Sequence, residues 1–72
     1  MRLSIQYQTQ IIDIELADTL KIKQIKEELH KIYQFPKEYS MKVRTKNIVL
    51  KEEKRLNDYP LSDGDLIRIE EW

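Results

Sequence analysis

The hydrophobic period changes twice along the chain, and that constrains the fold more than any other feature. Leu3, Ile5 and Tyr7 alternate with Arg2, Ser4, Gln6 and Gln8, and Ile12, Ile14 and Leu16 alternate with Asp13 and Glu15. Period two marks strands with one buried face. The spacing then becomes helical: Ile22, Ile25, Leu29 and Ile32 recur at intervals of three and four, which is one stripe along a helix. Period two returns at Met41, Val43 and Thr45 and again at Ile67 and Ile69. A chain that reads strand, strand, helix, strand, strand, strand has one helix with which to cover one sheet.

The joints agree with this reading. Gln8-Thr9-Gln10 is a short connection and implies an antiparallel hairpin. Ile11 sits off the pattern and is expected either exposed or in a bulge. Asp18 or Thr19 can cap the helix by accepting from its free N–H groups. Pro36 disfavours helical geometry at Phe35, so the helix should stop near Tyr33 or Gln34. Asn47 suits a left-handed turn before a short strand at Ile48-Val49-Leu50. Lys51 to Arg55 reads as a charged, solvated loop. Pro60 argues against a strand around Leu56, Tyr59 and Leu61, so a short helical turn is expected there. Gly64, the single glycine, should supply positive φ in the turn before the last strand, Leu66 to Glu70.

The expected class is α+β, with a mixed sheet in β-β-α-β-β-β order and the helix packed on one face. Residues 1–72 form a single domain, because 72 residues leave no room for a second. Leu3, Ile5, Ile14, Leu16, Ile22, Ile25, Leu29, Met41, Val43, Leu50, Leu56, Leu61, Ile67 and Ile69 are the expected core. Lys21, Lys23, Lys26, Glu27, Glu28 and Lys31 are assigned to the helix surface. A domain this small buries only about 60% of its unfolded surface, so its stability should be modest.

Composition excludes several functions. There is no cysteine and one histidine, His30. Neither a cysteine nucleophile nor a His/Cys metal set can be assembled, and no catalytic, cofactor-binding or metal-binding residue is assigned. Asp63 and Asp65 flank Gly64, but the spaced ligands and closing glutamate of a calcium loop are missing, so they read as turn chemistry. A phosphate cradle needs more than one glycine. The longest uncharged run, Leu3 to Ile12, falls well short of the roughly 20 apolar residues of a membrane span. The first residues read as a strand rather than as a leader, so the expected location is the cytoplasm, with no direct membrane insertion.

Thirteen basic residues balance thirteen acidic ones, which argues against a nucleic-acid partner. The charge is nonetheless segregated. Residues 1–20 carry a net −2, residues 21–55 a net +6 and residues 56–72 a net −4. The basic band is either ordinary solvated surface or a face for an acidic protein.

The run Leu56-Asn57-Asp58-Tyr59-Pro60-Leu61, continuing through Asp63-Gly64-Asp65 to Ile69, resembles the corresponding run of ubiquitin and the strand after it. Asp18-Thr19-Leu20 before the helix and Phe35-Pro36 after it fit the same pattern. Lys42-Val43-Arg44-Thr45-Lys46, Arg55-Leu56-Asn57-Asp58-Tyr59 and Asp63-Gly64-Asp65-Leu66 are similar to blocks of the YukD/EsaB family, the ubiquitin-like accessory proteins of type VII secretion in Gram-positive bacteria. The blocks span residues 41–69. The first 40 residues support the fold more than the family.

The resemblance implies a ubiquitin-like β-grasp fold. It also implies a non-enzymatic role through a protein partner, expected to be a cytosolic part of a secretion machine, with no cofactor. It leaves two alternatives: an interaction domain of another, larger assembly, or a carrier activated through its C-terminus. The ending Ile69-Glu70-Glu71-Trp72 disfavours the carrier, since ubiquitin and the sulfur carriers close on a flexible Gly-Gly. Ubiquitin's apolar recognition patch falls near Gln8, Arg44 and Glu70, all polar here, and Ile48 stands where ubiquitin has a chain-building lysine. In this fold the first, last and third strands are neighbours. Lys42, Arg44 and Arg68 should then cluster beside Leu66 and Trp72 as a protein-interaction face. The alternative is that Leu66 and Trp72 cover sheet edges and the cations are solvated.

Overall fold

The computed structural model describes residues 1–36 and 38–71. Strands β1 (Arg2–Tyr7) and β2 (Gln10–Glu15) lead into helix α1 (Ile22–Tyr33). Strands β3 (Ser40–Val43) and β4 (Ile48–Leu50), a 3₁₀ turn at Leu56–Asp58, and β5 (Asp65–Glu70) complete the chain. The strands lie in the order β2-β1-β5-β3-β4. Only β1 and β5 run parallel, so the sheet is mixed, as expected. The α+β class and the single helix on one face follow the sequence pattern.

The turns follow their residue chemistry. Asn47 has φ 54° and Gly64 φ 90°. A glycine at Gly64 removes the Cβ penalty of that geometry. Gln8 also adopts φ 56°, letting Tyr7 pair directly with Gln10. Ile11 pairs regularly with Gln6 and is exposed, so there is no bulge.

Side-chain alternation puts Leu3, Ile5, Met41, Val43, Ile67 and Ile69 on the covered face, beneath Ile22, Ile25 and Leu29 of α1. Several expectations need correction. Neither Asp18 nor Thr19 caps α1. Lys21 occupies that position, and its N–H donates to Gln24 Oε1 at 3.0 Å. The next two N–H groups, of Ile22 and Lys23, donate to the carbonyls of Lys54 and Glu52. The charged loop is therefore part of the helix cap, not only solvated surface, because its backbone satisfies donors the helix cannot satisfy itself.

Ile32 is 65% exposed and Lys26 only 8%, the reverse of the expected assignment. At about 100° per residue both sit roughly 60° from the centre of the buried trio Ile22, Ile25 and Leu29, on opposite flanks. Tertiary neighbours decide between them. Tyr39 and Glu52 close over the Lys26 flank, whereas the Ile32 flank faces β2, the last strand of the sheet. Phe35 and Tyr39 are buried core residues that no periodic pattern marked, while Ile14, Leu16 and Leu61 are only half-buried against the core.

Candidate interaction face

β5 lies at the centre of the sheet, and its outward residues are Leu66, Arg68 and Glu70. The register sets Lys42 of β3 directly opposite Arg68, and Gln6 of β1 opposite Arg68 on the other side. Val49 and Ile11 extend this row to the two edges. In the adjacent row, Ser4 stands opposite Leu66, and Asp13 stands beyond Ser4. The Arg44 N–H donates to the Leu66 carbonyl at 3.0 Å, which continues the β3–β5 ladder and puts Arg44 beside Leu66. The structure thus brings four of the five expected residues, Lys42, Arg44, Leu66 and Arg68, onto adjoining positions of the face that α1 leaves open. Trp72, the fifth, lies outside the described residues.

Directly opposed side chains on a sheet have Cβ atoms about 5 Å apart, and like charges there are destabilising. Among the described residues, Lys42, Arg44 and Arg68 make no salt bridge. Leu66 is half-buried and stands mid-sheet, so it does not cover a sheet edge. It does not belong to the core cluster either. The centre of the face is a basic patch around Leu66, flanked by Glu70, Ser4 and Gln6, with Val49 and Ile11 exposed toward its two edges.

Other polar constellations have structural partners. His30 Nδ1 lies 2.7 Å from the Phe35 carbonyl, where the ring holds the chain as it leaves α1. Asp65 accepts from the Ser62 N–H and from Lys46 Nζ, each at 2.9 Å. The Lys46 bond, followed by the Ser62 bond, holds the Asp65 carboxyl below its usual pKa of 3.8. Asp63 accepts from the Arg2 N–H. Both aspartates are turn ligands, as the sequence indicates. The Tyr59 hydroxyl accepts from the Lys51 N–H at 2.8 Å, tying the charged loop to the 3₁₀ turn.

Lys26 is the polar residue that sequence reasoning missed. Its Nζ donates to the Tyr39 carbonyl at 2.8 Å and to Glu52 at 3.2 Å, and it lies 5.3 Å from the centre of the Tyr39 ring. The signal was present, since Lys26 is four residues from Ile22 and three from Leu29, on the same helical face. Burial, and then the charge of Glu52, pushes the Tyr39 phenol up to about 12. Its hydroxyl is buried without a partner among the described residues.

Among the described residues, no group of three or more His, Cys, Asp or Glu side chains could hold a metal ion. No helix among them is long and apolar enough to cross a membrane. No protein-family model matches the chain, and no curated protein matches it. Among solved structures, the solution structure of the N-terminal ubiquitin-like domain in the 4931431F19Rik protein is similar, with a TM-score of 0.79 at 14% identity. The match covers 96% of this chain and 71% of that one. The five-stranded mixed sheet and its single helix are those of the ubiquitin-like β-grasp fold.

Proposed function

We propose that this chain is an adaptor that works through protein contact at the open face of its sheet, without catalysis or covalent attachment. The observation that carries the reading is the direct opposition of Lys42 and Arg68, with Arg44 and Leu66 in the next row. Like charges set across a ladder cost stability, and an acidic partner converts that cost into binding energy and faster encounter.

Reversing exposed charges spares folding, since exposed pairs contribute roughly 0–1 kcal/mol. Arg44→Glu with Arg68→Glu is expected to fold normally and lose the partner. Lys23→Glu with Lys31→Glu, on the outer surface of α1, is expected to keep it. Binding is compared by capture across a salt series. Loss with the helix pair and retention with the sheet pair would move the working face to α1.

The finer reading is a cytoplasmic accessory of type VII secretion. It rests on Lys42–Lys46, Arg55–Tyr59 and Asp63–Leu66, which resemble the YukD/EsaB blocks. Deleting the gene in its host and assaying export of the system's small substrates tests it; unchanged export would exclude that role. A second reading, an interaction domain of a larger assembly, is favoured by the ubiquitin-like domain above, which is one domain of a longer protein. Intact mass of the native protein separates the two, and would also expose adducts linked through the C-terminal carboxylate.

A further inference from the structure

The sheet has a second surface, of opposite charge, at its β2 edge. Between β2 and α1 runs a groove whose apolar lining is Ile14, Leu16, Ile25, Leu29, Ile32 and Tyr33. Among the described residues its charged lining is acidic throughout: Glu28 on α1, and Asp13 and Glu15 on β2, whose side chains turn to the open face of the strand. Asp13 also accepts from Ser4 Oγ, and Glu15 pairs with the Met1 ammonium group, so Glu28 is the acid without an ion-pair or hydrogen-bond partner among the described residues. Ile32 and Tyr33 form an exposed wall.

The backbone beside this groove is also open. Met1 and Leu16 exchange both of their N–H to carbonyl bonds, at 2.6 and 2.8 Å. In an antiparallel ladder such pairs alternate with unbonded ones. Leu3–Ile14 and Ile5–Ile12 are therefore bonded pairs, and the N–H and carbonyl groups of Ile11, Asp13 and Glu15 point away from β1. β2 ends the sheet, and among the described residues no hydrogen bond reaches those groups.

Acidic residues on an edge strand commonly guard it against aggregation. Guarding does not account for an apolar wall one side chain away on α1. An added strand presents alternate side chains to one face. Its apolar side chains would follow Ile12, Ile14 and Leu16 toward α1, where Glu28 offers one acid, and cations at its alternate positions would lie across the ladder from Asp13 and Glu15 on the open face. A second copy of this chain fits poorly, because pairing two β2 strands about Asp13 sets like charges against each other.

We propose that the β2–α1 groove docks an extended, basic peptide segment of a partner as a sixth strand. This inference does not rest on the role proposed for the open face. Selection from a random library of roughly nine-residue displayed peptides, a strand with its flanks, tests it on the immobilised chain. Enriched sequences should alternate apolar residues and carry Lys or Arg. The best of them, synthesised, should shift the amide resonances of Ile11, Asp13 and Glu15. Ile32→Lys with Glu28→Lys should weaken it at least about tenfold, through loss of one apolar anchor and one charge contact. Both positions are exposed, so this variant should fold, and its amide spectrum verifies that. Arg44→Glu with Arg68→Glu should bind the peptide unchanged, which separates the groove from the open face. Absence of enrichment, peptides without the alternation or the cations, or undiminished binding to the groove variant would overturn the proposal. So would concentration-dependent shifts at Ile11, Asp13 and Glu15 without peptide, which would assign the edge to a second copy.

Discussion

The two faces of β5 meet different surroundings. On β5, Ile67 and Ile69 turn toward α1 and are buried, while Arg68 between them turns away and is exposed. The covered face is apolar and continuous across β1, β5 and β3. The open face places two cations side by side. Strand geometry forces the alternation, but only the helix makes one side a core. A residue on the covered face is constrained by packing, and its neighbour is left available for contact with another molecule.

The largest effect should come from Ile67→Ala, which removes a fully buried side chain and costs about 2–5 kcal/mol. Arg68→Ala, one residue away, should fall within about 0.5 kcal/mol of the parent. Denaturant midpoints of the two variants compare the faces directly. Equal losses would mean that the open face is structural.

Lys26→Ala is next, at about 1.5–3 kcal/mol, because it removes a buried donor to the Tyr39 carbonyl and to a carboxylate. Lys23→Ala, on the exposed part of the same helix, should change the midpoint little. If both variants unfold at the same midpoint, Lys26 is no more than another surface lysine.

Two tyrosines sharpen the comparison further. Tyr59→Phe removes the acceptor of the Lys51 N–H and should cost about 0.5–1.5 kcal/mol, a modest figure because the freed N–H can rehydrate. Tyr39→Phe removes a buried hydroxyl that has no partner, and should leave stability unchanged or slightly raised. Thermal unfolding ranks them, and a larger loss for Tyr39→Phe would reveal a partner for that hydroxyl.

The smallest effect is pH-dependent. The Asp65 carboxyl is held below its ordinary 3.8, chiefly by Lys46. Its contribution is complete above that value and is lost as pH falls through the depressed folded-state pKa. Asp65→Asn should therefore flatten the acid end of the stability–pH curve and leave its shape near neutrality unchanged. An acid limb as steep as the parent's would assign that titration to other carboxylates.

Much of the fold was legible because periodicity records which face is buried. Leu3 and Ile5, Ile22, Ile25 and Leu29, and Ile67 and Ile69 all follow it into the core. Asn47 and Gly64 were legible for a different reason, since few residues tolerate left-handed backbone. Phe35 and Tyr39 were not, because they bury from a connection with no repeating pattern. The open-face cluster was partly legible. Alternation gives each strand's outward residues, but their juxtaposition depends on β5 lying between β1 and β3. The resemblance to ubiquitin implies that arrangement, but the order of strands along the chain does not require it.

By itself, then, the sequence determined the elements, most of their buried sides, the left-handed turns at Asn47 and Gly64, and the polar character of the centre of the open face. These are local properties, set by side-chain size, period and backbone sterics. Only the tertiary structure decided that Lys26 is buried and Ile32 is exposed, that the charged loop caps α1, and that the register sets Lys42 directly against Arg68. It also decided that β2 ends the sheet with free backbone beside an apolar groove. Each of these depends on which distant segment closes over a flank or pairs with an edge, and the covalent order of residues does not contain that information in local form.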